Sequence, residues 1–484
     1  MRSALTFILI LSLNFGFAQK KYKADWKELN KRPVPEWFTD ARFGIFIHWG
    51  PYSVPAWSPK GTYSEWYQHQ LEHKPETKEH HEKVYGKDFS YYKFGEMFTA
   101  DLFNPEEWAK LFKKSGAQYV VPTSKHHDGY CLWPSREASK SFGFPWNSMD
   151  VGSKRDLLGE LTEAVRAEGL KTGFYYSLYE WYNPLWLSDK EKYVEEHMFP
   201  QFKDVVNRYK PSIIFSDGEW DLPSNKWKSA ELVAWLYNDS EAPKDVVIND
   251  RWGKGRRHKD GGYYTTEYQT GLDTDHPWEE NRGIGFSFGY NRNEDAQDYN
   301  SGQTLTLLLV DCVSRGGNFL LDIGPDRFGK IPPIMQERLL QIGKWLEKNG
   351  EAIYGTKRWK KAFQWSAEGE RDYKPSKGNS NLVSGNFILK QTVDTDPGHA
   401  SKEIFFTQKD NDLFAISPLW PGKEMVIRDL NSDNVSEITL LATGDKLKWK
   451  NSGKDLIITM PEFDPREYSE EDHYAFVFKI SGIE

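Results

Sequence analysis

Six runs of apolar, β-branched and aromatic residues in this chain each end in side chains able to do chemistry. They are Phe43-Gly-Ile-Phe-Ile-His48-Trp49-Gly50, Tyr119-Val-Val-Pro-Thr-Ser-Lys125-His126-His127-Asp128-Gly129, Gly173-Phe-Tyr175-Tyr176-Ser177, Ile213-Ile-Phe215-Ser-Asp217-Gly-Glu219-Trp220, Val246-Val-Ile-Asn249-Asp250-Arg251-Trp252-Gly253 and Tyr263-Tyr-Thr-Thr-Glu267-Tyr268. Buried strands that finish in polar groups, with helical stretches between them, are how a (β/α)-barrel is written. Its catalytic groups gather at the C-terminal ends of parallel strands. The fold class expected is therefore α/β, a TIM-like barrel.

The connecting segments keep the same rhythm. Asn104-Pro105-Glu106-Glu107 opens a helix, with Asn as N-cap, Pro at the first helical position and acids in the first turn. It runs through Trp108, Leu111 and Phe112 to Gly116, just before a strand. A second helix spans 154–167, with Leu158, Leu161 and Val165 on one face and Gly169 beyond its end. Asn318–Gly324 reads as the last barrel strand, and 333–350 as an amphipathic helix on Met335, Leu339, Ile342 and Leu346. After Gly355 come short strand-like segments at 413–417, 424–430, 436–441, 456–460 and 474–480. Turn signals such as Pro421-Gly422 and Asn451-Ser452-Gly453 separate them. This is the pattern of an antiparallel β-sandwich. The organisation expected is a signal over 1–18, a barrel over 19–355 and a sandwich over 356–484.

Basic Arg2, an apolar run from Ala4 to Phe17 and Ala18 before Gln19-Lys20-Lys21 form an export signal, too short to span a membrane. The formal charge of −8 argues against a nucleic-acid partner. Cys131 and Cys312 each sit in apolar surroundings and read as free buried thiols rather than a staple. No CxxC, HExxH or glycine-rich cofactor motif is present, so neither cofactor nor metal is expected. The 20 Trp, 25 Tyr and 29 Phe are mostly core, yet such rings also stack on the apolar faces of sugars.

Asp217 closes a strand and Gly218 lets the chain turn at once, leaving the carboxylate at the rim. Glu267 stands in a similar place after Tyr263-Tyr264-Thr265-Thr266. Carboxylates on neighbouring strand ends reach the ~5 Å separation of a retaining glycosidase pair. Glu279, in the loop-like His276-Pro277-Trp278-Glu279-Glu280, is an alternative acid/base, and Glu219 is a weaker rival for either role. His126-His127-Asp128 admits a metal, a structural or a sugar-hydroxyl reading. Neighbouring strand residues face opposite ways, and no third ligand stands at recognisable spacing. His48 is a core histidine or a hydroxyl ligand, and Arg251 a structural ion pair or a carboxylate-orienting group.

At these residues the chain resembles the α-L-fucosidases of glycoside hydrolase family 29. The matches include Phe43-Gly-Ile-Phe-Ile-His-Trp-Gly-Pro-Tyr-Ser-Val-Pro, Tyr63-Ser-Glu65-Trp66-Tyr67, Lys125-His-His-Asp-Gly, Lys154-Arg-Asp-Leu, Ser216-Asp-Gly-Glu-Trp220 and Asn249-Asp-Arg-Trp-Gly253. Gly283-Ile-Gly-Phe-Ser-Phe-Gly-Tyr-Asn291 and Gly316-Gly-Asn-Phe-Leu-Leu follow in colinear order. The resemblance implies retaining hydrolysis of terminal α-L-fucose from glycans by a barrel with a C-terminal β-sandwich. Carried over, it makes Asp217 the nucleophile. His48, Glu65, Trp66, His126, His127, Tyr175 and Arg251 become ligands of the fucose hydroxyls, and Phe215 a contact of the methyl group. Phe215 departs from the tryptophan common at that place. Glu267 matches a Thr-x-Glu-Tyr pattern for the acid/base, and Glu279 a Trp-Glu proposed for lysosomal-type members. Placement at a strand end favours Glu267.

Overall fold

A computed structural model describes residues 21–369, 371, 385–431 and 433–483. The expected export signal at 1–18 lies outside them. Eight strands form one parallel sheet: β1 (Phe43–Ile47), β2 (Tyr119–Lys125), β3 (Lys171–Ser177), β4 (Ile213–Asp217), β5 (Val247–Ile248), β6 (Tyr264–Glu267), β7 (Trp278–Gly283) and β8 (Asn318–Ile323). Their order is β5-β4-β3-β2-β1-β8-β7-β6. The edge strands meet where Tyr263 N donates to Ile248 O (3.1 Å) and Gly262 N to Asn249 O (3.3 Å), so the sheet curls into a TIM-like barrel.

Helices α1 (Pro105–Lys114), α2 (Leu157–Ala167), α3 (Phe199–Tyr209) and α4 (Ser229–Asn238) connect β1 through β5. Helix α5 (Gly302–Ser314) precedes β8 and α6 (Pro333–Asn349) follows it. The Asn104 side chain accepts from Glu107 N at 3.1 Å, so the N-cap sits where its sequence signal put it. Helix α2 starts at Leu157 rather than 154, because the Asp156 carboxylate takes Gly159 N (3.0 Å) and so caps it three residues later.

Residues two apart share one face of a strand. Phe46, Tyr119, Val121, Tyr175, Ile213, Phe215, Tyr263 and Leu320 form the core inside the barrel, closed from below by Phe38. The ring of Tyr119 crosses beneath β1, and a Cβ on Gly44 would stand 2.2 Å from it, so only glycine fits there. The next inward positions up the same strands, at 48, 217, 267 and 322, arrive at the upper rim.

Strand β7 was not expected. Trp-Glu-Glu-Asn-Arg-Gly lacks the apolar character of the others, yet all six residues are buried. Its charges are satisfied in pairs on the outer face, where Glu280 accepts from Arg282 (2.8 Å) and from Thr266. Glu279, read from sequence as a loop residue, is instead an inward-facing residue at the start of this strand. Its carboxylate accepts from the Tyr119 hydroxyl in the lowest layer of the barrel, at the end away from the strand C-termini.

Beyond α6 the chain forms a six-stranded antiparallel sheet, built from β9 (Lys357–Trp365), β10 (Lys402–Lys409), β11 (Asp412–Ser417), β13 (Glu437–Leu440), β14 (Asp445–Lys446) and β17 (Phe476–Ser481). A three-stranded sheet of β12 (Glu424–Ile427), β15 (Lys448–Ser452) and β16 (Asp455–Thr459) packs on it. Ile404, Phe406, Met425, Ile438, Ile458 and Phe478 fill the space between them. Lys402 Nζ meets Asp311 of α5 at 2.6 Å and Trp345 Nε1 of α6 donates to Ala475 O (2.9 Å), fastening the sandwich to the barrel. Cys131 and Cys312 are buried, unbonded thiols.

Burial pushes the Glu279 carboxyl up to about 8, against the opposing effect of the Tyr119 and Tyr263 hydroxyls. A carboxyl raised in the folded state contributes stability that is complete below its unfolded value near 4.5 and is lost as pH rises to about 8. Glu279→Gln keeps an acceptor for Tyr119 and removes the titration. Its unfolding free energy is therefore expected to fall less than that of wild type between pH 5 and pH 8, by an amount on the order of a few kcal/mol. An unchanged slope in calorimetry across that range refutes this.

Candidate active site

The rim of the barrel surrounds a cavity of about 230 Å³. All ten residues carried from the sequence line it: Asp217, Glu267, His48, Glu65, Trp66, His126, His127, Tyr175, Phe215 and Arg251. Glu279 is absent from its wall, as is Glu219. The turn that presents Asp217 needs Gly218, whose φ is +72° and whose added Cβ would meet the Tyr179 ring at 2.4 Å.

One guanidinium organises the carboxylates. Arg251 Nη1 donates to Asp217 Oδ1 at 2.8 Å, Nη2 to Glu267 Oε2 at 3.2 Å and Nε to Thr265 Oγ1 at 3.0 Å. The second oxygen of Asp217 accepts from the Tyr175 hydroxyl (2.9 Å), with His127 Nε2 at 3.6 Å. Burial alone would raise the Asp217 carboxyl. Arg251, His127 and Arg257 together outweigh it and hold the group well below the usual carboxylate range, so it is an anion. Glu267 is more open. It accepts from the Tyr63 hydroxyl at 3.0 Å and is the more exposed member of the pair, at 24% against 10% for Asp217.

The histidines are neutral. Burial drives His48 down to about 3 and His127 to about 4. The Ser177 hydroxyl donates to Tyr179 O (2.6 Å), so its oxygen accepts from His127 Nδ1 (2.6 Å). That fixes the tautomer with the Nε2 lone pair toward the cavity, where it can accept a hydrogen bond. His48 Nδ1 shares a proton with Asp322 across 2.6 Å, and burial favours the neutral form of both partners. His126 Nδ1 is buried with no protein partner. Burial pushes Glu65 up to about 8, though Gly289 N donates to it at 2.8 Å, so near neutrality it is mostly a carboxylic acid.

Asp128 does not join its neighbouring histidines. It turns away to accept from the Tyr91 hydroxyl (2.7 Å) and Tyr130 N (3.1 Å). Among the described residues no group of three or more His, Cys, Asp or Glu is disposed to hold a metal ion. Phe46, Phe215 and Phe288 give one apolar wall, the first two 4.9 Å apart between centroids. Sequence reasoning left Phe46, Tyr63, Trp220, Arg257, Asn281 and Phe288 out of the site. Phe288 stands in the Gly283–Asn291 motif and was findable there. Asn281 lies on the unexpected β7, and Arg257 in a basic stretch that reads as solvated loop.

Barrel, cavity, paired carboxylates and neutral hydroxyl acceptors together define a glycoside hydrolase. Residues 9–351 match the Alpha-L-fucosidase family and residues 398–481 the Alpha-L-fucosidase C-terminal domain. The chain belongs to the α-L-fucosidase family. The tissue alpha-L-fucosidase of Bos taurus is 40% identical over 96% of this chain and 92% of its own length. That of Homo sapiens is 39% identical over 98% and 97%. A Thermotoga maritima alpha-fucosidase solved with a mechanism-based inhibitor superposes with a TM-score of 0.77 at 38% identity, covering 95% of this chain and all of that one.

A lysine at position 251 supplies a point charge that cannot span both carboxylates. Arg251→Lys is expected to lower kcat/KM for fucose release by about 100-fold or more, the worth of a lost charge-assisted bond or two. With less positive charge on Asp217 its carboxyl titrates higher, so the acid limb of the pH–rate profile moves to higher pH. A limb that stays in place or moves down contradicts this electrostatic account.

Proposed function

We propose that this protein is an exo-acting, retaining α-L-fucosidase with Asp217 as nucleophile and Glu267 as acid/base. That it is a fucose-releasing glycosidase follows from its family. The observation that supports the double displacement is the single Arg251 guanidinium contacting both carboxylates. Such a bridge suits the ~5–5.5 Å separation of a retaining pair better than the ~6.5–9.5 Å gap that admits a water in an inverting one.

In this reading the sugar enters the closed end of the cavity. His48, His126, His127, Glu65 and Trp66 receive its hydroxyls, and its methyl group meets the phenylalanine wall. Asp217 attacks C1 while the bond from C1 to the leaving oxygen breaks, and Glu267 passes its proton to that oxygen. Water then gives a proton to Glu267 and attacks C1, freeing Asp217 and α-L-fucose. Arg251 stays paired with the acid throughout and loses its charge partner at Asp217 only while the ester exists. The barrel over 19–355 carries this chemistry and the sandwich over 356–484 supports it. The partner is a fucosylated oligosaccharide or glycoconjugate. Export through residues 1–18 places the enzyme where such glycans are met, and among the described residues no helix is long and apolar enough to cross a membrane.

Proton NMR of the first minutes of hydrolysis is expected to display α-L-fucose before the β anomer grows in by mutarotation. Initial β-L-fucose would instead require inversion.

Asp217→Asn is expected to lower turnover of an aryl fucoside at least ~10³-fold, since no glycosyl ester forms. Glu267→Ala should impair a fucosylated oligosaccharide far more than a dinitrophenyl fucoside, because a good leaving group needs no acid. Azide should rescue its second step and yield a fucosyl azide. If leaving-group dependence and azide rescue appear in Glu279→Ala instead, the acid/base assignment is wrong.

A further inference from the structure

The sixteen residues lining the cavity divide by exposure. Eleven are buried, and Tyr63, Trp66, Trp220, Arg257 and Glu267 are part-exposed and form its mouth. A terminal sugar engages the buried set and the indole N–H of Trp66, so whatever is attached at its anomeric oxygen leaves across the mouth. Trp66 and Trp220 lie there nearly parallel, at 6.2 Å and 19°. Tyr63 is committed to Glu267. Arg257 has donors to spare. Its Nε is held by Glu219 at 2.7 Å, while Nη2 lies a long 3.5 Å from Glu219 and 3.7 Å from Asp217. No protein acceptor meets Nη1 among the described residues. A guanidinium carries five N–H groups, so one edge is open. Glu219 is itself buried, its side chain 4% exposed, which gives the arginine a rigid anchor.

We infer that Arg257, anchored by Glu219 and flanked by Trp66 and Trp220, forms an aglycone subsite that recognises the sugar to which fucose is attached. The inference rests on the fucosidase reading above and extends it to the substrate beyond the fucose. The open edge donates to acceptor oxygens of that second sugar, a hydroxyl or an acetamido carbonyl, and the indoles cover its apolar face. The positive charge of Arg257 is already offset by Glu219 and Asp217, so the subsite selects neutral oxygens rather than a sulfate or carboxylate. The loop that carries it, between β5 and β6, crosses the seam of the barrel. Its place there was set by the fold and not by any motif.

The test compares kcat/KM for a fucosyl-N-acetylglucosamine disaccharide and for p-nitrophenyl fucoside in wild type, Arg257→Met and Arg257→Lys. The ratio of the two values within one preparation does not depend on the fraction of folded enzyme. Arg257→Met is expected to lower the disaccharide-to-aryl ratio about tenfold or more, mainly through KM for the disaccharide, with Arg257→Lys intermediate. A ratio within about twofold of wild type in both variants, with both substrates slowed together, overturns the subsite: Arg257 would then act only on Asp217. Release of fucose by wild type from both substrates tests the underlying reading separately, so the two failures are distinguishable.

Discussion

Arg251 is the interaction on which the rest of the site depends. A buried guanidinium is costly to desolvate, and it persists here because it meets two carboxylates and a threonine hydroxyl in one plane. In return it is the first of the charges, with His127 and Arg257, that hold the Asp217 carboxyl low against the opposing effect of burial. Each partner comes from a different strand: Asp217 ends β4, Arg251 follows β5 and Glu267 ends β6. The cluster therefore bridges the seam where Tyr263 N and Gly262 N donate across to Ile248 O and Asn249 O. Fold closure and the charge of the cavity are coupled through one side chain.

Three further carboxyls are buried in and around the site. Glu279, Glu65 and Asp128 are buried carboxyls that burial pushes up to about 8, 8 and 7. Each contributes stability at low pH that is lost as pH rises through its folded value, opposite in sign to the lowered Asp217, His48 and His127. A second buried set lies behind the histidines. Lys125 meets Glu180 at 2.7 Å, and His197 and Asn183 complete the carboxylate's partners. Removing one member would leave an unpaired buried charge. The network holds the strand end that carries His126 and His127, so these cavity-lining rings are fixed from below as well as from the side.

Much of this was readable in the chain. The apolar runs marked six of the eight strands, and the Asn318–Gly324 stretch marked another. Asp217, Arg251, the histidine pair and Glu267 were findable because a parallel strand delivers its last inward residue to one shared rim. Strand β7 was not readable, because Glu279, Glu280, Asn281 and Arg282 look like surface. They are buried because Tyr119 and Thr266 from other strands, and the Glu280–Arg282 pair within β7, satisfy them. The loop placement of Glu279 failed for that reason.

By itself the sequence determined the parallel barrel, the sandwich that follows and the identity of the groups at the strand ends, because periodicity and burial are local properties of the chain. The tertiary structure alone decided which of two carboxyl groups lines the cavity. Glu267 and Glu279 lie only twelve positions apart, yet parallel register sets Glu279 level with Thr265, one inward position below Glu267, where it turns to Tyr119. It also decided the His127 tautomer, through Ser177 and Tyr179, and the place of Arg257 at the cavity mouth. These are contacts between segments far apart in the chain, and no local pattern records them.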